Sequence, residues 1–106
     1  MEIDLSDKRL SIITEGGKEF GFGQITRCLS IAKVFHKHGF VAEFIADGDE
    51  SITSLLDGYT FSLLDWKTKL KSLNQKIEKS SFILIDSMQI SNSQLLKLQE
   101  TNIPLI

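Results

Sequence analysis

The chain has 106 residues, 42% hydrophobic and 25% charged, which fits one compact domain and excludes collagen-like, coiled-coil and wholly disordered classes. Twelve Lys and Arg against fourteen Asp and Glu leave a formal net charge of −2. No global cationic field is on hand to hold a phosphodiester backbone, so nucleic acid is not expected as a partner.

Leu10-Ser11-Ile12-Ile13-Thr14 is a β-rich run, and the glycine-bearing segment from Glu15 to Gly23 follows it, so a strand feeding a loop is predicted. From Gln24 onward, Ile25, Cys28, Leu29, Ala32 and Phe35 recur at steps of three and four, the mark of one buried helical face. Gly39 stands where a left-handed C-cap would end that helix. Phe40 to Ala46 is almost continuously apolar, as suits a strand covered on both faces in a parallel sheet. Asp47-Gly48-Asp49 predicts a turn, Ser51 to Leu56 a short helix ended by Asp57-Gly58, and Tyr59 to Leu64 a third strand.

Leu70, Leu73 and Ile77 mark one face of a helix from about Lys67 to Lys79, with Lys67, Lys69, Lys71, Lys76 and Lys79 mostly on its solvated side. Trp66, just ahead of it, packs on the sheet edge or meets a second domain. Ser81 to Asp86 reads as a buried strand that ends in an acid. Ser91 or Asn92 caps a last helix carrying Leu95, Leu96 and Leu98, and Ile103-Pro104-Leu105-Ile106 forms a fifth strand.

Strands alternating with helices at these intervals imply right-handed crossovers and a doubly wound parallel sheet of about five strands, an α/β, Rossmann-like architecture. The terminal apolar strand suggests an amino-terminal domain cut from a longer protein. The apolar runs fall far short of the roughly 20 residues that span a bilayer. The opening Met1-Glu2-Ile3-Asp4 is acidic where a signal peptide is cationic, so a cytoplasmic chain without a membrane span is expected. The single Cys can close neither an intrachain disulfide nor a Cys-based metal cage.

Gly21-Phe22-Gly23-Gln24 falls between the first strand and the first helix, where an open α/β sheet puts its ligand crevice. The glycines either serve the tight strand-to-helix turn or let backbone approach a ligand, with the N–H groups of the helix start favouring an anion or a polarised oxygen. Arg27, one turn in, can offer a bidentate contact to a carboxylate or phosphate, whereas the Gln24 amide donates and accepts but cannot ionise. The spacing is not the dinucleotide fingerprint, because Thr26 stands three after Gly23. Nor is it a phosphate loop, because Phe22 stands where that motif needs Lys.

Glu15 is the sole ionisable candidate for a base on the glycine loop, or else a solvated loop carboxylate. Asp86 bonds a ligand hydroxyl, holds the glycine loop, or satisfies backbone N–H groups of the next turn. Ser87 and Gln89 are candidates to line the pocket. His36 and His38, two apart on a helix, cannot converge on one metal, and Cys28 on the apolar face reads as core.

The run Thr14-Glu15-Gly16-Gly17-Lys18-Glu19-Phe20-Gly21-Phe22-Gly23-Gln24-Ile25-Thr26-Arg27-Cys28-Leu29-Ser30-Ile31-Ala32 resembles the amino-terminal domain of the UDP-sugar hydrolases of pseudaminic acid biosynthesis. His38-Gly39-Phe40, Phe44-Ile45, Ile83-Leu84-Ile85-Asp86 and Gln89-Ile90 share in the likeness. These enzymes belong to the spore-coat and flagellar polysaccharide group and are similar in fold to GT-B glycosyltransferases. The resemblance implies the amino-terminal half of a GT-B-like two-domain enzyme that releases UDP from a diacetamido-trideoxy sugar without a metal or other cofactor. The nucleotide would be gripped mainly by a carboxy-terminal domain. By the same resemblance Gly21, Phe22 and Gly23 admit the sugar, Gln24 positions water or a hydroxyl, and Arg27 and Asp86 order the pocket.

The chain departs from that family at three places. Gln24 replaces a His that activates the attacking water, and an amide cannot take a proton as a neutral imidazole does. Ile13 replaces an Arg, and Glu15 stands for an Asp near the end of the first strand. A glycosyltransferase domain and a non-catalytic sugar-binding relative are the alternatives these departures leave open.

Overall fold

The computed structural model describes residues 8–106, and the acidic opening Met1 to Asp4 lies outside them. The elements run β1 (Arg9–Gly16), α1 (Gly23–Lys37), β2 (Val41–Gly48), β3 (Thr60–Leu63), α2 (Leu70–Ile77), β4 (Phe82–Asp86) and α3 (Asn92–Gln99). All strands are parallel, in one sheet of order β3-β2-β1-β4. The chain therefore travels outward from β1 through β2 to β3 and then crosses back to lay β4 on the other side of β1. Winding reverses between β1 and β4, and loops that leave strands on either side of such a reversal diverge to open a crevice.

Side-chain alternation along the strands builds a core on each face. Leu10 and Ile12 of β1 pack with Ile25, Cys28 and Ala32 of α1, with Phe44 of β2 and with Leu84 of β4. Ile13, Ile45 and Ile83 point the other way, onto Leu73 and Ile77 of α2, Leu98 of α3 and the fully buried Trp66. A sheet covered on both faces explains why β1 is buried from Leu10 to Gly16, without polar alternation. α1 ends as expected: Gly39 is left-handed at φ +86°, and its N–H returns to the His36 carbonyl at 3.0 Å.

Three expectations need correction. The sheet has four strands, not about five. Residues 103–106 lie along β4 through hydrogen bonds from Ile83 N–H to Pro104 O (2.9 Å), Ile106 N–H to Ile83 O (2.8 Å) and Ile85 N–H to Ile106 O (3.2 Å). They form only an isolated bridge, Ile83 with Leu105, because Pro104 lacks the N–H that the preceding rung needs.

The segment after β2 is a single 3-10 turn, Glu50–Ile52, followed by turns rather than a helix to Leu56, yet Ile52 and Leu56 are both fully buried. α2 starts at Leu70, not near Lys67. The Asp65 carbonyl accepts from both Thr68 N–H (3.1 Å) and Lys69 N–H (2.9 Å), and this separate turn carries Trp66 into the core. Among the described residues, no helix is long and apolar enough to cross a membrane.

Candidate functional site

β1 delivers Thr14 and Glu15 to the carboxyl edge of the sheet, and the chain then makes a small closed loop. Gly17 and Gly21 exchange backbone hydrogen bonds at 2.9 and 2.7 Å, with Gly17 at φ +123° and Gly21 at φ +79°, backbone geometry that disfavours any side chain. Asp49, just past β2, accepts from Lys18 N–H at 2.9 Å and from Ser51 N–H at 2.8 Å, which fastens this loop to the neighbouring strand. These hydrogen bonds, the Ser51 hydroxyl first, hold the Asp49 carboxyl below its usual range.

Phe22 then leads into α1 without a side-chain cap, so the first-turn N–H groups face the crevice mouth free of side-chain partners. Gln24, in that first turn, is 8% exposed, and its amide has no hydrogen-bond partner among the described residues. One turn later the Arg27 guanidinium grips Asp86 at the end of β4 through two parallel bonds, Nε to Oδ2 and Nη2 to Oδ1, each 2.9 Å. The hydrogen bond and charge of Asp86 hold the Arg27 pKa above its ordinary value. The remaining guanidinium nitrogen, Nη1, stands 3.8 Å from where a Cβ on Gly23 would be. Gly23, Arg27 and Asp86 are thus neighbours across the reversal between β1 and β4, although 59 residues separate the ionic partners.

Glu15 is not a solvated loop carboxylate. It is the penultimate residue of β1, 1% exposed, and both of its oxygens are engaged: Oε1 accepts from the Ser87 hydroxyl and Oε2 from Met88 N–H at 2.8 Å. Ser87 Oγ in turn accepts from the N–H groups of Gln89 (2.9 Å) and Ile90 (3.2 Å). A buried carboxylate thereby anchors the loop that follows β4, satisfying donors that would otherwise be stranded. Gln89 continues outward, its side-chain oxygen accepting from the Lys67 ammonium, which also binds Asp47 at 2.5 Å.

All nine sequence candidates, Gln24, Glu15, Gly21, Phe22, Gly23, Arg27, Asp86, Ser87 and Gln89, therefore belong to the carboxyl edge around β1 and β4. Their parts differ. Phe22 is 42% exposed and Arg27 lines the rim, while Glu15 and Ser87 lie beneath and brace it. Lys67 and Asp47 were missed by sequence reasoning, since helical spacing put Lys67 on a solvated helix face and Asp47 reads as an ordinary turn residue.

Next to this edge two buried groups lack strong polar partners. The Thr14 hydroxyl is fully buried without a hydrogen bond of good geometry. Burial pushes the adjacent Cys28 thiol up to about 11, with Thr14 pulling it partly back. A thiol so protonated is a core residue rather than a nucleophile.

A separate groove of about 620 Å³ lies between α2 and α3, floored by Ile13, Trp66, Leu73 and Leu98. It contains none of the convergent polar residues, which gather instead at the carboxyl edge around β1 and β4. Charge there is balanced locally by the Arg27–Asp86 pair, and the exposed surface offers an aromatic ring, a guanidinium N–H and helix-start N–H groups, with Gln24 largely buried in the same helix turn. That set can donate hydrogen bonds to hydroxyl or carbonyl oxygens or to a partly charged oxygen. Comparison of the chain with protein-family models, with curated proteins and with solved structures finds no match.

Proposed function

We propose that the chain is the amino-terminal, Rossmann-like half of a GT-B-like sugar-nucleotide-processing enzyme, acting as a hydrolase that releases UDP from a diacetamido-trideoxy sugar. The reading rests on the sequence likeness of Gly21 to Ala32 together with one observation: Gly23, Arg27 and Asp86 meet where the sheet reverses its winding, with Gln24 in the first turn of the same helix as Arg27. In this reading the sugar lies against Gly21, Phe22 and Gly23, and the Gln24 amide orients a water toward the anomeric carbon. Oxygen of that water forms the new bond, the anomeric C–O bond to phosphate breaks, and UDP departs with the electron pair. The Arg27–Asp86 pair holds the rim in place, and Glu15 keeps the loop of Ser87 and Gln89 beneath it.

A carboxy-terminal nucleotide-binding domain completes the cleft and excludes water in this scheme, so the domain alone does not turn over. The Gln24 amide cannot accept the proton lost by the attacking water, which passes instead to the departing diphosphate oxygen, so turnover is slow. The same amide favours a second reading, a non-catalytic sugar binder on the same fold.

The test is UDP release by the complete gene product from a UDP-linked diacetamido sugar, with and without acceptor. Release without acceptor supports a hydrolase, and Gln24→His then raises the rate about 100-fold, the scale of general-base catalysis. Release only with an acceptor hydroxyl identifies a transferase. No turnover by either protein, with retained sugar binding, establishes the binder.

A further inference from the structure

Lys67 is tied to more of the carboxyl edge than any candidate named from sequence. Its ammonium donates to Asp47, the penultimate residue of β2, at 2.5 Å and to the side-chain oxygen of Gln89 after β4. It lies 3.6 Å from Asp65, which follows β3, and 5.7 Å from the ring centroid of Phe20, in the closed loop after β1. A second ring, Trp66, is also 5.7 Å away. One cation therefore lies among Asp47 at the end of β2 and the segments that follow β1, β3 and β4.

The contacts differ from an ordinary surface ion pair, which is worth little because water screens it and two long side chains must be ordered. The Lys67 side chain is 28% exposed and that of Asp47 19%. Asp47 is held from both sides, accepting also from the Gln89 amide at 3.4 Å. The aromatic faces add attraction for the same charge. Burial works against the ammonium, but the hydrogen bond and charge of Asp47 and the charge of Asp65 outweigh it and keep its pKa above the ordinary value.

The partners matter because of what they carry. Phe20 belongs to the loop that presents Phe22 and Gln24, and Gln89 to the loop braced by Glu15 directly after Asp86. Lys67 touches neither Gln24, Arg27 nor Asp86. We propose that Lys67 is a positioning residue of the crevice: it fixes the distance between the glycine loop and the β4–α3 loop, and so the width of the opening between them. The consequence for ligand affinity rests on the function proposed above, whereas the consequence for the loops does not.

The two are separated by one set of variants, Lys67→Met, Lys67→Arg and Asp47→Asn, in the full chain. Hydrogen exchange is read at the amides of Gly17, Gly21, Met88, Gln89 and Ile90, against those of Ile12 and Phe44 in the core. Lys67→Met and Asp47→Asn speed exchange about five-fold or more at the loop amides only, and Lys67→Arg restores most of the protection. Unchanged loop exchange overturns the proposal, and so does equal acceleration in loops and core, which marks a merely structural residue. Binding of a UDP-linked diacetamido sugar by the complete gene product, followed by calorimetry, weakens in Lys67→Met and recovers in Lys67→Arg. If the variants show the loop effect but the wild-type complete gene product binds no such sugar nucleotide, the functional reading is removed and the positioning role stands.

Discussion

At Gly48 the end of β2 comes so close to β1 that a Cβ would stand 2.1 Å from the Gly16 carbonyl oxygen, a backbone atom that cannot give way. Elsewhere in the core, the burial of Cys28 on α1 produces a pH dependence. Its thiol titrates at about 11 in the folded chain against an ordinary 9.0. The folded state binds this proton more tightly than the unfolded state. The stability it contributes is therefore complete below about pH 9 and is lost as pH rises toward about 11. Urea melts across that window should fall more steeply for the wild type than for Cys28→Ala, and equal slopes would show that the thiol is not held in a dry site. The place of Cys28 was legible from its helical spacing. That of Glu15 was not, since a carboxylate is buried only when distant donors meet it, and its partner Ser87 lies 72 residues on.

Among the elements, α3 has the most complete start. The Ser91 side chain accepts from Gln94 N–H at 3.2 Å and the Gln94 side chain accepts from Ser91 N–H at 3.1 Å, a reciprocal capping box. Ser91→Ala should cost about 1 kcal/mol in denaturant unfolding; a loss indistinguishable from zero would mean the helix start is held by packing instead. The sequence left the cap between Ser91 and Asn92, and the hydrogen bonds select Ser91.

Elements with a clear period, α1 and the apolar strands β1, β2 and β4, could be read directly because burial of one stripe or of both strand faces imposes that period. α2 could not be bounded. Its apolar positions Leu70, Leu73 and Ile77 fit a longer helix equally well, and the turn at Asp65 to Lys69 is set by Trp66 seeking the core, a tertiary effect. The same displacement moves Lys67 off a helix face and into the crevice wall. The segment at Ile103 to Ile106 has strand composition but gains only one bridge, since Pro104 interrupts the ladder.

Over the whole molecule the two faces of the sheet are built unequally. α1 sits on small residues, Cys28 and Ala32, close to β1. α2 and α3 stand off the opposite face, with Trp66 filling part of the space and a groove left between them. The Trp66 indole N–H donates to the Thr14 carbonyl at 2.8 Å, which joins this outer layer to the central strand. Trp66 is the chain's single tryptophan, so its emission reports on that layer alone, while far-ultraviolet circular dichroism reports on every element. The two urea transitions should coincide, as for one cooperative unit. A Trp66 transition at lower urea would show that the α2–α3 layer opens independently.

β3 forms one margin of the sheet and spans four residues, Thr60–Leu63, with Asp57 before it and Asp65 after it. Stacked fibrillar assemblies are seeded by uncharged β segments of about six or seven residues. A stub this brief, bracketed by anions that repel their own copies, makes a poor seed. That margin is therefore a weak template for pairing with a neighbouring copy.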